Sequence, residues 1–126
     1  LKTAELLTKV YSALSKDQKL TDNLAKGSQG IYHIQAPPGN EARIPYIVYS
    51  VVSDIPGICG DDYELGHYVT LRIHVVTGNT GGYWQLYEII NTIMVKLGFS
   101  RLQVNELKED DGHALCVADY KIGVEA

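Results

Sequence analysis

Arg43-Ile44-Pro45-Tyr46-Ile47-Val48-Tyr49-Ser50-Val51-Val52-Ser53, entered from a rigid turn at Ala36-Pro37-Pro38-Gly39, decides the fold. Pro45 gives up an amide donor where a strand begins, a place where that loss is tolerated. Beyond it Ile47, Tyr49 and Val51 point one way and Tyr46, Val48 and Val52 the other. A strand that is apolar on both faces is expected to be covered on both. With helices before and after it, the expectation is a small sheet held between helices, or between a helix and another subunit.

Downstream, Tyr68 to Thr77 alternates cleanly. Val69, Leu71, Ile73 and Val75 are expected to face the core, with Thr70, Arg72 and His74 on the other side. This strand is the natural antiparallel partner of Tyr46–Ser53, which the pattern makes an interior strand. Between the two lies Asp54 to Gly66, read as the longest irregular segment. It has one proline, three glycines and an acidic cluster, and is expected to be a flexible acidic loop.

The helices bracket these strands. Leu6, Leu7, Val10, Tyr11 and Leu14 form one apolar stripe behind a cap at Thr3. A short helical turn follows, with Thr21 as cap, Leu24 as anchor and Gly27 past its end. Ile31 to Ile34 is a brief strand. A second main helix runs from Tyr83 to Leu97, with Leu86, Ile89, Ile90, Ile93, Met94 and Leu97 on its apolar face and Gly98 at its end. Strands near Ser100–Leu107 and His113–Ile122 close the chain, joined by a hairpin at Glu109-Asp110-Asp111-Gly112. The order α(α)βββαββ predicts an α+β fold: a mostly antiparallel sheet of four to five strands with two main helices, the helices falling at both ends of the sheet.

At 126 residues the chain has the length of a single domain, 1–126, able to bury about two thirds of its unfolded surface without staples. No apolar run approaches the roughly 20 residues of a membrane span, and the N-terminus reads as an amphipathic helix of the mature fold. The net charge of -4 argues against a duplex-binding protein. Lysines 2, 9, 16, 19 and 26 read as solvated helix surface. Cys59 and Cys116 are too few and too far apart for a disulfide framework. Cys116 is expected to be a buried thiol. A reduced, cytoplasmic protein is expected, with a single disulfide as the alternative.

No stretch carries catalytic chemistry. Gly78-Asn79-Thr80-Gly81-Gly82 precedes a helix but lacks the lysine of a P-loop and the spacing of a dinucleotide fingerprint. Asp61-Asp62-Tyr63-Glu64, near Cys59 and His67, does not match the ligand spacing of a calcium or zinc site and reads as a solvated loop tip. His67 and His74 lie seven apart on one strand and face opposite sides. No catalytic, cofactor or metal site is assigned, and the chain is not read as an enzyme. Tyrosine is the oddity, with nine against one Phe and one Trp. Its apolar body and polar tip suit surfaces that are covered in one state and wet in another. Partner contacts are expected from Tyr63, Tyr68, Tyr83 and Trp84 beside the glycine-rich loops, and from Asp61, Asp62 and Glu64 at the acidic tip. Core packing is the alternative for each ring.

An N-terminal helix, a short turn at Asp17 to Leu24, Gly30-Ile31-Tyr32-His33, Gln35-Ala36-Pro37-Pro38-Gly39 and Ile44-Pro45-Tyr46-Ile47-Val48-Tyr49 come in an order that resembles a phage family. The family is the tail completion proteins of long-tailed bacteriophages and prophages, which include tail-to-head joining proteins and are similar in fold to tail terminators. The likeness continues through Arg72-Ile73-His74-Val75 and the helix from Tyr83, over nearly the whole chain. It implies a structural protein that completes the tail and joins it to the head connector as a ring-forming homo-oligomer, commonly sixfold. The implied partners are further copies of itself, the tail-tube protein and the head connector protein, with DNA only as passing cargo and no membrane. The implied location is the host cytoplasm during assembly and the head–tail junction of the virion afterwards. Two other classes stay open: a small-molecule-binding or regulatory α+β domain, and a metal-dependent enzyme using the acidic loop.

Overall fold

The computed structural model of the chain describes residues 1–38, 41, 43–57, 59–60, 63–78, 82–108 and 113–125, with the backbone alone at 59, 60, 63 and 64. Its helices are α1 (Thr3–Lys16), α2 (Gln18–Thr21) and α3 (Tyr83–Lys96), with a 3-10 turn at Gly27–Gly30. Its strands are β1 (Ile31–His33), β2 (Tyr46–Pro56), β3 (Cys59–Gly60), β4 (Tyr63–Glu64), β5 (Gly66–Thr77), β6 (Ser100–Lys108) and β7 (Ala114–Glu125). Five strands form one sheet in the order β1-β2-β5-β7-β6, and β3 pairs with β4 in a small ladder of its own. β1 runs parallel to β2, and the other three pairings of the main sheet are antiparallel. This is the expected α+β architecture.

The alternation of β5 sets the register. Val69, Leu71, Ile73 and Val75 are fully buried. Ile73 lies between Tyr49 of β2 and Ala118 of β7, and Leu71 between Val51 and Tyr120. Tyr46–Ser53 is therefore interior, as its pattern requires. Leu6, Val10 and Leu14 of α1, Leu20 and Leu24, and Leu86, Ile90 and Met94 of α3 join the same core. Gly98, at φ 101, ends α3: its amide donates to Val95 O at 3.0 Å and the Phe99 amide to Met94 O at 3.0 Å. These two bonds satisfy carbonyls that the last helical turn leaves free.

Four expectations are corrected. The helices do not flank the sheet or sit at its two ends, because one apolar cluster joins them all to a single sheet face. The second face of β2 is closed over one half only, where Ile44 and Tyr46 pack on Val76, Leu115 and Val117. A bulge between Val51 and Ser53 leaves Val52 exposed. Asp54–Gly66, expected to be irregular, is mostly strand. Asp54, Ile55 and Pro56 continue the β2–β5 ladder opposite Val69, Tyr68 and His67, and the β3–β4 ladder lies beyond them. Glycine and proline content suggested a loop, but pairing along the extended β5 overrides local propensity. The caps also differ. Lys2 occupies the position before α1 with no side-chain cap bond, and Asp17 caps α2 by accepting the Leu20 amide at 3.0 Å. Thr21 is the last residue of that turn. The 109–112 hairpin lies outside the described residues.

A buried charge sits in the open face. Asp119, only 5% exposed, accepts from Arg72 Nε at 2.9 Å, Arg72 Nη2 at 3.2 Å and Gln103 Nε2 at 2.9 Å. One carboxylate thus ties β5, β7 and β6 together. The Arg72 fork holds its carboxyl below the usual carboxylate range against the opposing effect of burial.

Two outcomes follow from this packing. Ile90→Ala empties a fully buried position and is expected to cost about 2–5 kcal/mol in denaturant melts, because the cavity is only partly refilled. Arg72→Leu strands the Asp119 carboxylate and is expected to cost about 2–3 kcal/mol at neutral pH, toward the low end because the Arg72 side chain is 40% exposed. The folded carboxyl lies below its unfolded value. Its contribution is therefore whole above the ordinary carboxylate range of roughly pH 4 and is lost as pH falls toward the folded value. The gap between wild type and Arg72→Leu should narrow in acid melts.

Candidate functional site

The residues singled out in the sequence fall into two groups that the fold keeps apart. Tyr63 and Glu64 form β4, opposite Gly60 and Cys59. Asp61 and Asp62, between β3 and β4 in the chain, lie outside the described residues. This hairpin leaves the sheet where β2 ends and β5 begins. Tyr83 and Trp84 open α3, which follows the other end of β5. The twelve residues of β5 separate the two groups by roughly 35–40 Å at strand rise. They are two surfaces, at opposite ends of the sheet.

Of the two aromatics that open α3, one faces out. Tyr83 is 5% exposed, and its hydroxyl donates to Glu106 Oε2 at 2.8 Å. That carboxylate raises the phenol above its ordinary value. Tyr83 is a core residue that pins α3 to β6. Trp84, 38% exposed, meets Tyr87 edge to face at 5.6 Å and 88°. Trp84 remains available as a surface ring.

The hairpin end is built from contacts that sequence reading did not find. Ile55 stands opposite Tyr68 across the strands, and both are exposed, as are Val52 and Leu65. The Tyr68 ring lies on backbone, since a Cβ at Gly57 would come within 2.8 Å of it and one at Gly123 within 3.1 Å. Lys121 Nζ sits 4.7 Å from the ring centroid, in cation–π range. Tyr68 offers one signal in sequence: it falls outside the buried series 69, 71, 73, 75, so its ring belongs to the open face.

Beside this aromatic, α1 is tied to the hairpin stem. The Thr3 hydroxyl donates to Asp54 Oδ2. His67 bridges Asp54 Oδ1 at 2.7 Å through Nδ1 and Leu1 O at 3.1 Å through Nε2. Both flanking groups are acceptors, so only the doubly protonated ring satisfies both. The Thr3 hydroxyl and then His67 hold the Asp54 carboxyl below its usual range. These partners are 13 to 66 residues apart in the chain, which hides them from local patterns.

The Cys116 thiol is free and buried, and burial pushes it up to about 11, so it stays protonated at neutral pH. Among the described residues, no group of three or more His, Cys, Asp or Glu is placed to hold a metal ion. His67 binds on the helix side, while His74 lies between Val48 and Val117 on the open face, as their spacing requires. The space between α3 and the sheet holds Tyr120, Ile90 and Met94, with the Tyr120 hydroxyl donating to Asn91 Oδ1 at 2.9 Å.

No protein-family model matches the chain, and no curated protein sequence matches it at a significant level. Among solved structures it is similar to a chain described as "Virion of native gene transfer agent (GTA) particle", with a TM-score of 0.64 and 16% identity. The match covers 96% of this chain and 95% of that one. At this identity the likeness is one of fold, and it extends over essentially the whole of both chains.

Proposed function

We propose that this chain is a structural protein of a phage-like or gene-transfer-agent-like particle. In this reading its copies close into a ring, sixfold by analogy, that completes the tail and joins it to the head connector. The observation that carries the reading is the near full-length fold likeness to a virion chain. The order of motifs that resembles tail completion proteins points the same way.

The physical form suits the role. A subunit in a closed ring needs different patches for its two neighbours, and one at a tube end needs a further surface along the axis. This fold offers two sheet edges, β1 and β6, and an open half-face around Tyr68. The hairpin and Trp84 add surfaces at opposite ends of β5. A net charge of -4 suits a passage through which DNA slides without adhering. The protein would be made and assembled in the host cytoplasm and end at the head–tail junction, with tail-tube and connector proteins as its partners.

Replacing Asp61, Asp62 and Glu64 together by Ala tests the docking role of the hairpin. The purified variant is expected to melt within about 0.5 kcal/mol of wild type, because substituting acidic residues removes no apolar burial. Lysates of the variant should show, by electron microscopy, filled heads and finished tails that fail to join. Normal infectious particles from the variant would remove the hairpin from the mechanism. Normal particles after deletion of the whole gene would end the virion reading.

A further inference from the structure

The two edges of the sheet are not alike. β1 is three residues long and stops at a γ-turn centred on Ile34. There φ is 75 and the Gln35 amide donates to His33 O at 2.9 Å. β6 is nine residues long, pairs with β7 alone, and is exposed at every position but Val104, which is partly buried. A long free edge is a template for another strand, and short length, a bulge or an edge charge is the usual protection. β6 has one bulge, between Arg101 and Gln103, and ends on Lys108. Between these guards, the stretch Gln103–Leu107 carries one charge, Glu106.

The charges of β6 are arranged about its middle. Arg101, Val104 and Glu106 stand opposite Tyr120, Ala118 and Cys116 of β7, all in the core, so the three share the helix-side face. The bulge takes up one residue, which places Arg101 and Glu106 two ladder positions to either side of Val104. Each is held from α3. Arg101 Nη1 donates to the Tyr87 hydroxyl at 2.8 Å, and Glu106 Oε2 accepts from the Tyr83 hydroxyl at 2.8 Å. A guanidinium has five N–H groups and a carboxylate two oxygens, so that one bond saturates neither. Trp84 lies against both tyrosines, with ring centroids 5.7 and 5.6 Å apart. Lys108, the third charge of the strand, stands four ladder positions from Val104.

We infer that two copies of this chain pair through β6, antiparallel about a two-fold axis at Val104, and join their two five-stranded sheets into one. A second copy is the occupant that the charges fit. The axis sets Arg101 of each copy opposite Glu106 of the other, twice, with Val104 against Val104 between them. It also keeps the helices of both copies on the same side, since the paired residues all belong to the helix-side face. Lys108 falls past Ser100 of the other copy and takes no part. A two-fold contact of this kind is closed and recruits no third copy. The inference therefore goes beyond the ring reading: it is a dimer of the free chain that covers the long edge and leaves the Tyr68 face and the hairpin open.

Light scattering of the purified chain across a concentration series is the test. Wild type is expected to pass from monomer to dimer, more weakly at high salt because Arg101 and Glu106 are exposed. Arg101→Glu and Glu106→Arg chains each set like charges across the axis, and their dissociation constants are expected to rise about tenfold or more. Mixed in equal amounts they should pair again as heterodimers, because every contact is then Glu against Arg. In a Cys59→Ser background, Val104→Cys should cross-link to itself under mild oxidation, whereas Val52→Cys should not. That arm alters no charge, so it decides the question if either charge variant fails to fold. A wild type that stays monomeric up to about 1 mM, or that passes directly to larger rings, would overturn the contact. So would charge variants that fold but do not pair when mixed, or Val104→Cys chains that stay unlinked. None of these results bears on whether the gene is needed for particles.

Discussion

β5 is the member on which everything else leans. Along its twelve residues it is hydrogen-bonded to β2 on one side and to β7 on the other. Val69, Leu71, Ile73 and Val75 on its inward face are fully buried. That double pairing leaves no freedom of register, because a slip by one residue would turn Val69, Leu71, Ile73 and Val75 out to the open face. The helices then have one apolar face to cover, and a single core joins α1, α2 and α3 to it.

The length of β5 also sets the geometry of the surfaces. It outruns the three-residue β1, and its first residues pair with the far ends of β2 and β7, where the β3–β4 hairpin leaves the sheet. The result is a sheet with one covered face and one face closed only in part, by Ile44 and Tyr46. On that second face the Arg72–Asp119–Gln103 bonds hold β5, β7 and the edge strand β6 together where no helix does. Beyond them the Tyr68 platform stays open. One-sided burial is costly to a solitary domain in exposed apolar surface, and such surface is what an assembling subunit keeps.

Much of this was legible in the residues. The clean alternation of β5, the apolar face of α3 and the stop at Gly98 gave strand, helix and pairing without ambiguity. Cys116 was placed inside for the same reason. Three features were hidden by long-range effects. Asp54–Gly66 has loop composition, yet it is drawn into strand by the partner it extends along. The doubly apolar β2 suggested cover on both faces, by helices or by a helix and another subunit; the helices all lie on one face, Val52 is bulged out, and Ile44 and Tyr46 close half of the other. Of the proposed contact residues, Tyr83 turned out to be core because Glu106 satisfies its hydroxyl, whereas Tyr68 and Trp84 face outward. No propensity rule would put isoleucine at positive φ, so the Ile34 turn is visible only in the backbone.

The central claim is that this one-sided sheet is built to be completed by its own neighbours in a particle. Electron cryomicroscopy of purified particles whose genome encodes the chain tests it most directly. The expected result is a closed ring of copies at the junction of head and tail, each with its open half-face and hairpin against a neighbour or an axial partner and its helices on the covered side. Particles that lack the chain, or that hold it as isolated copies with the Tyr68 face in solvent, would contradict it.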